Sequence, residues 1–230
     1  MKILIIDNGT KYLDELRNLV ASHEVEVIPS AQYDMSATPR CNLIILSGGG
    51  HGRPLQGFES NWQEELDLTR GTTIPLLGIC FGFELMAAAY GYKLDKCEKP
   101  IRGLRQIRAT LNDEIFQGQS KFTVYESHRW RLNHIAAPYE VLTTSSRGIE
   151  IVKNMYKLHY GFQFHPEKST GPSSGRDIFA NLLKIVQIHP YEIRPHRQSV
   201  SRPSRGRGAL YALGCCRAPG ARLCDYLWLG

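Results

Sequence analysis

Pro75-Leu76-Leu77-Gly78-Ile79-Cys80-Phe81-Gly82-Phe83-Glu84-Leu85 runs from an apolar stretch into a cysteine with a glycine two positions away on either side. Ile74 to Ile79 reads as a buried strand, and the segment from Leu85 to Tyr90 as a helix former, which puts Cys80 on the turn between them. A sharp strand-to-helix turn of this kind pushes one side chain out at the top of a sheet. It also crowds the neighbouring backbone, which gives Gly78 and Gly82 a steric rationale. The partial positive charge of the helix N-terminus is expected to lower the thiol pKa toward the reactive thiolate. The competing reading is a cysteine packed as a small hydrophobe at a strand end. A general base elsewhere in the chain would decide between them.

Such a base follows a second apolar run. Leu158 to Phe164 reads as a buried strand, and His165-Pro166-Glu167 comes directly after it. Pro166 cannot continue a ladder, so the strand is expected to stop there and leave His165 on its C-terminal rim. In open α/β sheets the reactive crevice lies outside the carboxyl ends of the strands, so Cys80 and His165 are expected on one rim. Glu167 is placed to hold one imidazole nitrogen and fix the tautomer.

The remaining pattern supports an α/β sheet. Met1 to Gly9 is a continuous apolar run ending in a turn, as in a central parallel strand, and it is too short for a signal peptide or membrane span. Lys11 to Val20 is amphipathic, Val25 to Ile28 and Leu43 to Leu46 read as strands, and Trp62 to Leu68 as a helix. This β-α alternation predicts a doubly wound, mostly parallel central sheet with flanking helices and right-handed crossovers. From about Tyr92 shorter strands appear (Leu104 to Leu111, Lys121 to Tyr125, Tyr139 to Thr143, Ile149 to Val152), predicting a small antiparallel addition at one end of the sheet. Ser173 to Gln187 reads as a closing helix.

Two units are expected: a domain over residues 1–187 and a basic, disordered tail over residues 188–230. The tail holds seven arginines, no lysine and two acids, which is +5 of the chain's formal +6. The basic balance is therefore a property of the tail and says nothing about a nucleic-acid groove on the domain. Only the tail would offer a surface for RNA or other anionic partners. The six cysteines (41, 80, 97, 215, 216 and 224) show no metal-ligand spacing in the domain. No metal or cofactor is expected. A cysteine nucleophile that must stay reduced, with no secretory segment, points to a cytoplasmic protein without disulfides.

At these residues the sequence resembles a known family, the class I (triad) glutamine amidotransferases. Gly78-Ile79-Cys80-Phe81-Gly82 is similar to their nucleophile motif and Gly161-Phe162-Gln163-Phe164-His165-Pro166-Glu167 to their His/Glu motif. Leu46-Ser47-Gly48-Gly49-Gly50 resembles their early glycine loop. The resemblance spans roughly residues 2 to 187 and implies a flavodoxin-like fold. It also implies hydrolysis of the glutamine side-chain amide through a Cys80 thioester, with Cys80, His165 and Glu167 catalytic and the amides of Gly49 and Phe81 forming the oxyanion hole. Gly50, Glu84, Ser127, His128 and Arg129 are then the substrate-binding residues. Ammonia would pass to a synthase on a separate chain, since no phosphate-binding loop or nucleotide fingerprint occurs here.

Within the family, Ser47-Gly48-Gly49 and Tyr125-Glu126-Ser127-His128 resemble the GMP synthase amidotransferase domain more than that of anthranilate synthase. Three positions depart from the family pattern. Glu84 stands where glutamine is usual, and a carboxylate there would repel a substrate carboxylate. Arg129 stands where glycine is frequent, and the glycine loop continues as Gly50-His51-Gly52-Arg53-Pro54. Two alternatives remain. Glu84 favours a stand-alone hydrolase of other γ-glutamyl amides. An inactive regulatory module of the same fold is disfavoured by the intact Cys80, His165 and Glu167.

Overall fold

The computed structural model describes residues 1–49, 55, 59–168, 171 and 173–188. Gly50, the rest of the glycine loop to Pro54, and the tail from residue 189 lie outside the described residues. Parallel β/α steps build the first part. Strand β1 (Lys2–Asp7) leads to helix α1 (Leu13–Leu19), then β2 (Glu24–Pro29) and β3 (Leu43–Leu46). Helix α2 (Gln63–Gly71), strand β4 (Leu76–Ile79) and helix α3 (Phe81–Ala88) follow. The later strands are β5 (Asp95–Ala109), β6 (Lys121–Arg131), β7 (Tyr139–Ser145), β8 (Gly148–Asn154) and β9 (His159–Phe162), before helix α4 (Gly175–Ile188).

Among the described residues these strands form one sheet in the order β2-β1-β3-β4-β9-β8-β7-β5-β6. The pairs from β2 to β9 are parallel, and those from β9 to β6 are antiparallel. The expectation of a mostly parallel sheet with a small antiparallel addition is therefore corrected, because half the pairings are antiparallel and they extend the same sheet past β9. The shortfall lies in β5 and β6. Their added lengths, Asp95 to Gly103 and Glu126 to Arg131, are rich in charge and lack the apolar runs that mark the central strands. The register of β5 on β6 shifts between Lys96 and Ile101, around Pro100, which has no N–H for the ladder.

Alternation along the parallel strands divides the core in two, as the pleat requires. Ile3, Ile5, Leu43, Ile45, Leu77 and Ile79 pack with Leu16 of α1 and the apolar stripe of α4. Leu4, Ile6, Ile44, Leu46 and Leu76 pack with α2 and α3. Helices thus cover both faces of the parallel half. The antiparallel half curls, and β6 returns toward the rim of β9: His165 N–H donates to Tyr125 O at 2.8 Å and Ser174 N–H to Thr123 O at 2.7 Å. Ile149 N–H donates to Leu132 O at 2.9 Å, tying β8 to the residue after β6.

Candidate active site

Cys80 links β4 to α3 with φ 50° and ψ −103°, a positive φ that a residue with a side chain rarely adopts. Its N–H donates to Phe162 O of the adjacent strand β9 at 2.7 Å, which ties the turn to the sheet. The flanking glycines answer to backbone, as their spacing predicts. A Cβ on Gly82 would lie 2.2 Å from Leu46 O, and one on Gly78 would lie 2.6 Å from the Gly82 carbonyl. Gly161 of β9 leaves room for Phe83, whose ring would be 2.4 Å from a Cβ there. Two glycines flanking Cys80 and a third from β9 thus let α3 settle directly on the sheet.

Because β4 and β9 are parallel neighbours, Cys80 and the segment after β9 share one rim. His165 and Glu167 are both buried, and His165 Nδ1 and Glu167 Oε1 are 2.7 Å apart. The imidazole and the thiol interact electrostatically across the rim. Burial alone would push the imidazolium pKa down, but the Glu167 carboxylate and then Cys80 outweigh it and hold His165 well above its ordinary value. For Cys80 the expectation from the helix N-terminus is overturned. Burial raises the thiol pKa, and the opposing pull of His165 does not cancel it.

The glycine loop also meets a local steric requirement. Gly49 has φ +138°, and a Cβ there would lie 2.1 Å from Asn8 O, so glycine is what lets this loop press against the end of β1. A Cβ on Gly48 would sit 3.0 Å from His165 Cε1, leaving space for the imidazole. Cys80, Phe81, Gly49, Glu84, Ser127, His128, Arg129 and His165 line one cavity of about 440 Å³. Glu167 stands behind His165, and Gly50 lies outside the described residues. The residues singled out from sequence make up half of this wall, and Ser127 to Arg129, expected just after a short strand, belong to the extended β6.

Two candidate residues behave differently from expectation. Glu84 is buried, and that burial raises its pKa to about 8, against the lowering effect of Gln163. Near neutral pH it is a neutral carboxyl, which removes the expected repulsion of a substrate carboxylate. The imidazole of His128 is turned inward, with Nδ1 2.7 Å from Trp130 O and Nε2 3.3 Å from Glu126 Oε2. Its side chain is engaged in these contacts within the fold.

Several neighbours carry no motif signal. Tyr12 stands edge-on to His165 with ring centroids 5.0 Å apart, and Lys11 and Lys168 hold their ammonium groups 4.8 and 4.9 Å from its ring. Arg102 of β5 joins Lys11 and Arg129 in making the cavity wall basic. Gln163 lies between Cys80 and Glu84. The rim rule that placed His165 extends to Lys11 and Tyr12, since they follow the turn after β1. Gln163 could be read from its alternation with His165. Arg102 gives no sequence signal.

The likeness to known proteins spans the whole domain. A family model described as glutamine amidotransferase class-I matches residues 4–185. A glutamine-hydrolyzing GMP synthase subunit of Pyrococcus abyssi is 33% identical over 189 residues, covering 80% of this chain and 97% of that protein. The subunit of the same name from Pyrococcus furiosus is 30% identical over 188 residues, with 80% and 97% covered. Among solved structures, a candidate GMP synthase subunit of Thermoplasma acidophilum superposes with a TM-score of 0.73 at 23% identity, covering 82% of this chain and 95% of that one. That likeness speaks for the fold alone. The sequence match and the shared architecture agree: this chain belongs to the class-I glutamine amidotransferase family.

Proposed function

We propose that this chain is a glutaminase subunit that hydrolyses the side-chain amide of glutamine and supplies ammonia to a synthase on a separate polypeptide, of the GMP synthase kind. The observation that carries the reading is the strained Cys80 turn facing an imidazole whose far nitrogen is held 2.7 Å from a buried carboxylate. In the proposed course the Cys80 thiolate attacks the amide carbon. The new S–C bond moves the carbonyl electron pair onto oxygen; as this oxyanion collapses the C–N bond breaks, and the leaving nitrogen takes its proton from His165 and departs as ammonia. Water then attacks the thioester, gives a proton to His165, and releases glutamate and the thiol.

Glu167 orients His165 and stabilises the imidazolium. The amides of Gly49 and Phe81, both on the cavity wall, are the proposed donors to the oxyanion. The Ser127 to Arg129 backbone and the neutral Glu84 would hold the amino-acid end of the substrate. Ammonia transfer follows from the names of the relatives and from the family. Three free cysteines among the described residues suit a reducing, cytoplasmic setting. The residues from 188 onward are proposed as a basic appendage to the domain.

The test is glutamate release from glutamine by wild type and Cys80→Ala, with and without the synthase partner of a two-chain GMP synthase. Release that depends on Cys80 and rises with the partner is expected. Cys80-dependent cleavage of other γ-glutamyl amides, with no effect of a partner, would favour the stand-alone hydrolase. No Cys80-dependent release in any arm would overturn the assignment.

A further inference from the structure

Gln163 is 1% exposed, so its amide can partner only what the fold places around it. Its nitrogen lies 4.0 Å from Cys80 Sγ and 3.5 Å from Glu84 Oε1, while its carbonyl oxygen is buried without a partner among the described residues. Both nitrogen contacts are at the long end for their atom types, so the amide stands between two acceptors and is locked to neither. Glu84 is one helical turn beyond Cys80, its N–H donating to Cys80 O at 3.0 Å, which fixes the separation of the two acceptors.

We propose that Gln163 is a shared hydrogen-bond donor for the Cys80 sulfur and Glu84, and that the charge on Glu84 thereby sets how strongly the thiolate is stabilised. Gln163 and Glu84 are positioning residues in this account. It rests on Cys80 being the nucleophile of the proposed reaction. A hydrogen bond to a charged acceptor is roughly twice as strong as one to a neutral acceptor. An ionised Glu84 draws the amide away from sulfur, and its charge also raises the thiol pKa through space. A protonated Glu84 leaves the amide to the thiolate. Glu84 thus acts on Cys80 twice in the same direction.

The titratable groups around this trio come from several elements. His165 acts on both Cys80 and Glu84, and Glu167 acts on Cys80. Cys97 of β5 is within the field of Glu84, Glu126, Arg131 and Arg147. Lys11, Tyr12, Arg102, His128 and Arg129 complete the charged or titratable part of the cavity wall. Among these, Glu84 shares a common donor with the sulfur. Burial holds it protonated up to about pH 8, so the coupling falls within a range where the enzyme can be assayed.

The experiment measures the rate of Cys80 alkylation by iodoacetamide across pH 5 to 10, read on the Cys80 peptide by mass spectrometry. The full-length chain is used as wild type, Glu84→Gln, Gln163→Met and the double variant. Glu84→Gln is isosteric and neutral, and it is expected to move the labelling midpoint down by about one pH unit, with about tenfold faster labelling above about pH 8, where wild-type Glu84 is ionised, and little change at acid pH, where it is already neutral. Gln163→Met should move it up, with labelling at least about threefold slower there. The double variant should shift down from Gln163→Met by less than Glu84→Gln does from wild type, because the shared donor is gone.

An unmoved midpoint in Glu84→Gln, or fully additive shifts in the double variant, would overturn the proposal. A folding defect in Gln163→Met leaves the isosteric variant to decide. Glutamate release in the same samples separates the two claims. Turnover with an unmoved midpoint keeps the glutaminase reading and removes the relay; shifted labelling without turnover does the reverse.

Discussion

At the scale of single residues, the site depends on polar groups taken out of water and given few partners. Glu167 Oε1 faces His165, while its Oε2 is buried with no partner among the described residues, so its charge is directed at one imidazole. Glu167→Gln should keep the ring's position but remove the charge that sustains the imidazolium. We expect kcat for glutamate release to fall by about 10²- to 10⁴-fold with a smaller change in KM, and steady-state kinetics check it. Tyr12 invites a second comparison. Tyr12→Phe retains the edge-on ring 5.0 Å from His165, whereas Tyr12→Leu does not. The phenylalanine variant should retain most of the turnover, and the leucine variant should lose about tenfold in kcat.

At the scale of elements, the β4-α3 turn is held by glycines whose replacement meets backbone. Gly82→Ala would drive a Cβ to 2.2 Å from Leu46 O, and backbone cannot step aside as a flexible side chain can. A loss of about 2–4 kcal/mol in urea unfolding is expected. Gly71→Ala at the end of α2 meets nothing within 4 Å and should be neutral or stabilising by roughly 0.5–1 kcal/mol. The contrast separates a steric requirement from glycine's general cost. Both glycines are equally visible in the sequence. Only the packing of α3 on the sheet distinguishes them.

At the scale of the whole molecule, the buried ionisable groups set a pH dependence. Burial lowers the pKa of His159 to about 3, and Lys157 adds to the effect. The unfolded chain therefore takes up this proton first, and stability is lost as pH falls below about 6.5. Burial raises Glu65 to about 7 and Glu84 and Glu150 to about 8. The unfolded chain releases these protons first, so stability is lost as pH rises above about 4.5. His165, raised by Glu167 and Cys80 against its burial, adds a contribution that is also lost as pH rises through its folded value. Three carboxyls and His165 oppose His159 and the lowered His23, so Tm should peak on the acidic side, about pH 5, and decline toward pH 8. Glu150→Gln should raise Tm at pH 8 by roughly 2–6 °C and change it little at pH 5, a difference that calorimetry resolves.

The sequence by itself determined the turn at Cys80, the rim position of His165 and the parallel half of the sheet. Each follows from local chemistry: apolar runs of strand length, glycines where the chain must bend, and a proline that ends a ladder. The charged hairpin of β5 and β6 was only half legible, because its added residues are held by register against each other with few apolar runs to mark them. The tertiary structure decided what distant segments do to one another. Pairing of β4 with β9 brings the thiol to the imidazole, and the curl of β6 brings Ser127 O to 3.8 Å from Cys80 Sγ. It also decided the sign of the thiol's shift, the neutrality of Glu84 and the inward turn of His128. Burial and electrostatic fields sum over neighbours far apart in the chain, and spacing along the sequence does not carry that sum.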